Sequence, residues 1–394
     1  MPSFSDHSAR RLAVLVTHPI QYFAPVFREL SKQEDIQTRV FFGCDHGVNG
    51  EEDPYFKTKV VWDSAPTSGF DHVFLSQGHI NRLRGLNGAK IAWRAAKQIN
   101  QFRPDAVLVF SYSPLFISAA TCLLKLRKNK LLLRAETSDV ATQRSPFKNW
   151  LRDHALKLYY RQFHHFFPIG SLSEKHYRRL GVKNKKMTKV FYAVDVDFFA
   201  RYADQWLPQR EELREKMGIP ADAHVLMFCG KLHPPKNPLI ITESIRLLPE
   251  EIREKLWLFV VGDGELRAAF EKEARLYLGD RARFVGFKNQ SELGEFYSIA
   301  DTFILPSSYG ETWGLVVNEA MQFGLNIIVS DRVGCAVDLV LPSSSGRVFP
   351  SDKAEALAEA IAELQRMPAC RIQRETPHPK DLAQAVVSYL QKNP

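Results

Sequence analysis

Residues 301–329, DTFILPSSYGETWGLVVNEAMQFGLNIIV, decide how the rest of this 394-residue chain is arranged. Phe303 to Leu305 reads as a short apolar strand and Pro306-Ser307-Ser308 as a turn. Residues 312–323 read as a helix stopped by Gly324, and the apolar run after it as a second strand. Strand, helix and strand within about thirty residues make a unit whose strands run parallel. A ligand is then expected beyond the carboxyl ends of the strands, against the start of the helix. Two glutamates mark this unit: Glu311 at the expected helix start, and Glu319 on roughly the face of Thr312. Unpaired amides from Thr312 to Leu315 would hold a phosphate or diphosphate. Gly310 and Gly314 would let it approach the backbone, and a carboxylate further along would accept both hydroxyls of a diol. The stretch reads as a place for a phosphate flanked by sugars.

A glutamate pair at this spacing arises by chance about once in a chain of this size, so its surroundings carry the argument. The pattern P-S-x-x-x-E-x-x-G-x-x-x-x-E-A-M-x-x-G is filled by Pro306, Ser307, Glu311, Gly314, Glu319, Ala320, Met321 and Gly324. It resembles the E-x7-E block of the retaining GT-B glycosyltransferases often called family 4, the glycosyl transferases group 1. A second pattern, Gly230-Lys231-Leu232 followed by Lys236, resembles the family's basic pair on the donor diphosphate. Lysine at the first position gives up the bidentate geometry of the family's more usual arginine. The stretch 281–293, RARFVGFKNQSEL, resembles the strand and turn whose backbone meets the nucleobase, near Phe287 and Lys288.

The resemblance implies an α/β chain of GT-B type, two Rossmann-like domains facing an interdomain cleft. Residues 1–195 would bind the acceptor, 196–222 link, 223–378 bind the nucleotide sugar, and 379–394 form a helix crossing back toward the first domain. The implied donor site comprises Gly230, Lys231, Lys236, Gly262, Phe287, Lys288, Glu311, Thr312, Gly314, Leu315, Val316 and Glu319. Among these Lys236 and Lys231 would steady the departing diphosphate, Glu311 the donor sugar, and Glu319 the ribose diol. Two departures stand out. The segment after the first strand, THPIQYF (17–23), lacks the glycine-rich loop of many members and has His18 and Gln21 there instead. Where many members have a histidine beside the sugar, RAETSD (134–139) has Glu136. His18, Gln21 and Glu136 are the acceptor-side candidates.

Composition fits this reading. The length exceeds a usual single core, and two domains are expected. The net charge of +9 is uneven: residues 1–200 hold 30 Lys and Arg against 17 Asp and Glu, while the remainder is net acidic. A basic first half favours an anionic partner, and every charged residue from Asn81 to Arg103 is basic. That segment and 148–161, KNWLRDHALKLYYR, read as basic amphipathic helices suited to a membrane surface or to core packing. The uncharged run 106–124 approaches membrane-spanning length, but Pro114 and its serines divide it into a buried strand and a core helix. Five scattered cysteines without a C-x-x-C pair suggest neither disulfides nor zinc and favour a reducing cytoplasm. The first sixteen residues carry no apolar signal core.

Other chemistries fit less well. Asp45-His46 and Glu51-Glu52-Asp53 match no metal-ligand spacing. Asp195-Val196-Asp197 spells the metal motif of a different glycosyltransferase fold but lies where this family turns between domains. Gly262-Asp263-Gly264-Glu265 lacks the third glycine of a dinucleotide fingerprint. No nucleic-acid motif accompanies the positive charge. The expectation is a retaining glycosyltransferase needing neither metal nor cofactor, with UDP favoured over GDP in the donor. Its acceptor would be a glycan, a glycolipid or a small molecule of surface-polysaccharide assembly, met at the cytoplasmic face of an anionic membrane. A nucleotide-sugar 2-epimerase of the same fold and a non-catalytic nucleotide-sugar binder are the alternatives.

Overall fold

The structure, a computed structural model, describes residues 9–48, 51–53, 58–60, 65–140, 145–367 and 376–393. Cys370 and the side chains of Glu51, Glu52 and Asp53 lie outside the described residues. The first half contributes strands β1 (Arg10–Val16), β2 (Ile36–Phe42), β3 (Glu51–Asp53), β4 (Thr58–Val60), β5 (His72–Phe74), β6 (Ala106–Val109), β7 (Leu131–Leu133) and β8 (His165–Phe166). Its helices are α1 (Ala24–Ser31), α2 (Gly85–Phe102), α3 (Leu115–Leu126), α4 (Pro146–Tyr160) and α5 (Gly170–Arg179). Helices α6 (Val196–Trp206) and α7 (Arg210–Lys216) lead into the second half. There the strands are β9 (His224–Cys229), β10 (Leu256–Val261), β11 (Ala282–Gly286), β12 (Thr302–Leu305), β13 (Asn326–Ser330) and β14 (Gly346–Phe349). Between and after them come α8 (Leu239–Leu247), α9 (Glu250–Glu254), α10 (Arg267–Leu278), α11 (Gln290–Ile299), α12 (Leu315–Gln322), α13 (Ala354–Arg366) and α14 (Pro379–Lys392).

Each half holds a six-stranded parallel sheet, in the orders β5-β2-β1-β6-β7-β8 and β11-β10-β9-β12-β13-β14. Both orders reverse direction at their centre, the mark of a Rossmann-like unit. Continuous apolar runs produce this: β9, β10, β12 and β13 are buried along their whole length, as strands covered on both faces must be. Each fully buried Leu, Ile or Phe among them contributes about 2 kcal/mol of transfer free energy. The uncharged run 106–124 resolves into β6 and most of α3, and among the described residues no helix is long and apolar enough to cross a membrane.

One face of the first sheet carries α2, α3 and α4. The other meets the second half in a shared core that includes Leu12, Val14, Met227, Phe303, Ile327 and Leu382. That core also takes in α14, which lies against α1, with Arg10 donating to the Leu390 carbonyl. The carboxyl ends of the two sheets thus meet at the segments after β1, β7, β9 and β12.

Two details go beyond the sequence reading. Residues 196–222, expected to link the two halves, are largely helical, and Arg210 and Arg214 of α7 both hold the partly buried Asp301 carboxylate just before β12. The insertion between β2 and β5 contains an antiparallel pair, β3 with β4.

Candidate active site

The switch point of the second sheet lies between β9 and β12, whose ends run side by side with Ile304 opposite Phe228. The loops that follow these strands are therefore neighbours. Ser308 N–H donates to the Pro235 carbonyl at 2.9 Å, joining them backbone to backbone. This brings Lys236, at the end of a short 3-10 turn, onto Glu311, and the two form an ion pair. Ser307 donates to the same carboxylate oxygen at 3.2 Å. His233 sits on this loop as well; burial first, then the charges of Lys236 and Lys231, hold its pKa below the usual value.

The helix after this loop begins later than the sequence suggests. Residues 312–314 are not helical; α12 starts at Leu315, behind Gly314 in the left-handed region at φ +97°. A side chain at 314 would also press on Val333 and Leu305, at 2.9 and 3.0 Å. Glu311 is consequently a loop residue, held by Lys236 and Ser307 rather than by the helix dipole, and Thr312 offers no first-turn amide. The amides without an i−4 partner belong to Leu315 and Val316, since Val317 N–H returns to the Gly314 carbonyl at 2.9 Å.

Glu319 also differs from expectation. It does not share a helical face with Thr312; it points into the interior and is 1% exposed. Tyr297 of α11 donates to one of its oxygens at 2.9 Å and Tyr22, from the segment after β1, to the other at 3.1 Å. Gln290 adds a long contact of 3.5 Å. Burial pushes the pKa up to about 7, against the pull of these hydrogen bonds. The Cys229 thiol beneath is pushed up to about 12, by burial and then by Glu319, with Lys236 acting in the opposite sense. One buried thiol is thus within electrostatic reach of both Glu319 and Lys236.

The first half closes the site from above. Tyr192 donates to one Glu136 oxygen at 2.9 Å, and Thr312 donates to the other at 3.1 Å across the cleft. Arg134 is buried and donates to the carbonyls of Val190 and Phe191 at 3.0 and 3.1 Å, fixing the segment that carries Tyr192. Trp313 stacks on Phe191 and donates to Asn318, which in turn donates to the Tyr192 carbonyl. His18 meets the Thr17 hydroxyl at 2.9 Å; burial first, then His46 and His79, lower its pKa to about 4. Gln21 is buried next to Tyr22.

The other named residues frame the loops. The Cβ of any side chain at Gly262 would lie 2.0 Å from the Gly230 carbonyl oxygen, so a glycine there lets the segments after β9 and β10 cross. Phe287 and Lys288 follow β11, with Lys288 pairing to Glu292 at 3.0 Å on the surface. Lys231 belongs to the β9 loop and borders His233. Among the described residues no group of three or more His, Cys, Asp or Glu is placed to hold a metal ion. Sequence reasoning missed Tyr22, Gln290, Tyr297, His233 and Asn318. Tyr22 lay within a segment already singled out, but nothing local marks it as a partner of Glu319, 297 residues away.

Comparison with known proteins points the same way. Residues 209–382 match the family described as glycosyl transferases group 1. A D-inositol 3-phosphate glycosyltransferase from Catenulispora acidiphila is 33% identical over 201 residues, 48% of this chain and 45% of that protein. The chain therefore spans a little under half the length of this curated relative. Over nearly its whole length it shares a fold with a sucrose-phosphate synthase from Thermosynechococcus elongatus, at a TM-score of 0.64, 19% identity and coverage of 97% and 94%. It is similarly close to a UDP-GlcNAc 2-epimerase from Neisseria meningitidis bound to UDP-GlcNAc, at 0.63, 13% identity and coverage of 98% and 100%. The two-domain GT-B architecture is thus common to all three structures.

Proposed function

We propose that this chain, whose residues 209–382 match the glycosyl transferases group 1, moves a sugar from a nucleotide-sugar donor to an acceptor hydroxyl with retention at the anomeric carbon. The observation that carries the proposal is the meeting of Lys236 with Glu311 at the switch point, beside the first turn of α12 and above the buried Glu319. In this reading the donor diphosphate lies against the Leu315 and Val316 amides, and Lys236 and Lys231 balance its charge as the sugar departs. Glu319, ionised, accepts from the ribose diol. Glu311 orients the sugar hydroxyls, and the base lies by the Phe287-Lys288 turn, over Gly262.

The acceptor enters from the first half, past His18, Gln21 and Glu136. No side chain in the cleft is arranged as a nucleophile of the Ser-His or Cys-His kind among the described residues. The reaction follows a front-side course, in which the leaving phosphate takes the acceptor proton and no metal or cofactor takes part. UDP is preferred to GDP, by analogy with the epimerase bound to UDP-GlcNAc. The acceptor is a glycan or glycolipid of surface-polysaccharide assembly, consistent with the basic first half, and the chain works at the cytoplasmic side of an anionic membrane.

The test is a panel of nucleotide sugars in a thermal-shift assay, followed by release of nucleoside diphosphate with candidate acceptors. A UDP-sugar that stabilises the chain and is consumed only with acceptor supports transfer. Conversion of the donor's own sugar without acceptor would instead identify an epimerase, the second reading that the shared fold favours. Stabilisation with no turnover of any kind would leave a nucleotide-sugar binder.

A further inference from the structure

The first half carries a second surface that sugar transfer does not use. Helices α2, α3 and α4 lie side by side on the sheet face remote from the second half, burying Ile91, Ile99, Phe116, Leu124, Leu156 and Tyr160. A hydrogen bond of 3.1 Å between Thr121 and Tyr159 joins α3 to α4. Their outer sides are apolar too. Of the thirteen exposed large hydrophobic side chains among the described residues, eight stand on these three helices, so the exposure is concentrated in one layer. Leu86 and Trp93 of α2, Leu126 of α3, and Phe147, Trp150 and Leu158 of α4 are each more than half exposed. A cluster of this kind on a folded surface marks a binding face.

The charge around it is almost all positive. From Arg82 to Lys130 there are ten Lys and Arg residues and one acid, Asp105, which accepts from the Arg11 amide at 2.7 Å. Two hollows open on the same layer. One, of about 650 Å³, lies between α2 and α3 under Trp93, Lys97, Arg103 and Arg127. The other, of about 610 Å³, lies at the ends of α4 and α5, where Lys157, Arg161, Lys183 and Lys185 surround a floor of Tyr160 and Phe166. Arg179 at its edge is already bound to Asp139 and Asp153.

We propose that this layer docks on an anionic lipid bilayer, with Trp93, Trp150 and the leucines seated at the headgroup boundary and the two hollows receiving lipid phosphates. Tryptophan prefers that depth, leucine goes below it, and lysine and arginine meet the headgroups. A nucleic acid would use the cations but has no partner for Leu86, Leu126 and Leu158, because bases stack on aromatic rings and not on branched alkyl groups. The proposal rests on the reading of an acceptor met at a membrane and names the surface that meets it.

Flotation of the full chain with phosphatidylcholine vesicles, with and without phosphatidylglycerol, tests it. The chain should float with the mixed vesicles and not with phosphatidylcholine alone, and added salt should weaken binding. Replacing Lys157, Lys183 and Lys185 together by Ala should weaken binding on the order of a hundredfold, at about fivefold per cation. Trp93→Glu with Trp150→Glu should abolish flotation while leaving the thermal shift with UDP unchanged. Absence of flotation with mixed vesicles, or flotation untouched by both sets of changes, overturns the docking surface. So does equal flotation with phosphatidylcholine alone, or retention on single-stranded nucleic acid in place of vesicles. Flotation without any UDP shift would count against the transferase and leave the docking surface standing.

Discussion

Replacing Glu319 by Gln removes a titrating group from the interior of the site while keeping its shape. In the folded chain burial raises the pKa of this carboxyl from 4.5 to about 7. Unfolded, it gives up its proton near the ordinary value; folded, it keeps the proton until neutrality. Between those limits the unfolded chain binds fewer protons, so stability falls as pH rises. The favourable contribution is complete below pH 4.5 and gone above about 7. A shift of that size is worth about 3 kcal/mol, at 1.36 kcal/mol for each pKa unit. Glutamine can accept from one of Tyr22 and Tyr297 through its oxygen and donate through its amide to the hydroxyl of the other, and it does not titrate. Urea unfolding of wild type and Glu319→Gln across this pH range should therefore give a difference that declines by about 3 kcal/mol and then levels off, the remaining groups cancelling. Added UDP should move the decline to lower pH, because a diol donating to Glu319 favours its ionised form. A difference that stays flat through the range would refute the reasoning.

Other outcomes follow from the same geometry. Lys236→Ala should lower turnover roughly a hundredfold, the usual cost of losing one charge-stabilising group; wild-type kcat would remove its assignment to the diphosphate. Gly262→Ala should destabilise the chain by about 3 kcal/mol or more, since it combines a left-handed backbone at φ +133° with a clash against the Gly230 carbonyl; a melting temperature like wild type's would contradict that. Tyr22→Phe removes one of the two short hydrogen bonds to Glu319, so the pH window of the Glu319→Gln difference should move upward; an unmoved window would mean that the Tyr22 contact contributes nothing to the carboxylate.

Much of the fold was legible because parallel strands buried on both faces must be continuously apolar. The runs at 225–228, 256–261 and 303–305 announce β9, β10 and β12 within a residue or two. The nearness of Lys236 and Glu311 follows from the strand order, which sets β9 beside β12. The start of α12 was not legible: Glu311-Thr312-Trp313 has ordinary helix-forming character. What delays the helix is Gly314, turned left-handed where Val333 and Leu305 leave no room for a side chain. The environment of Glu319 was equally hidden, because a burial of this depth comes from Tyr22 and Tyr297 arriving from other elements. Arg210 and Arg214 looked like linker charges because their partner, Asp301, lies far along the sequence.

The packing of α14 on α1 limits how the cleft can open. The polypeptide crosses from one half to the other through α6 and α7 and crosses back to seat α14, so the halves are tethered at two places. A body tethered twice swings about the line joining its tethers and resists twisting about any other. The separation of Tyr22 from Glu319 and of Thr312 from Glu136 should therefore belong to a single swinging movement, with both contacts breaking together.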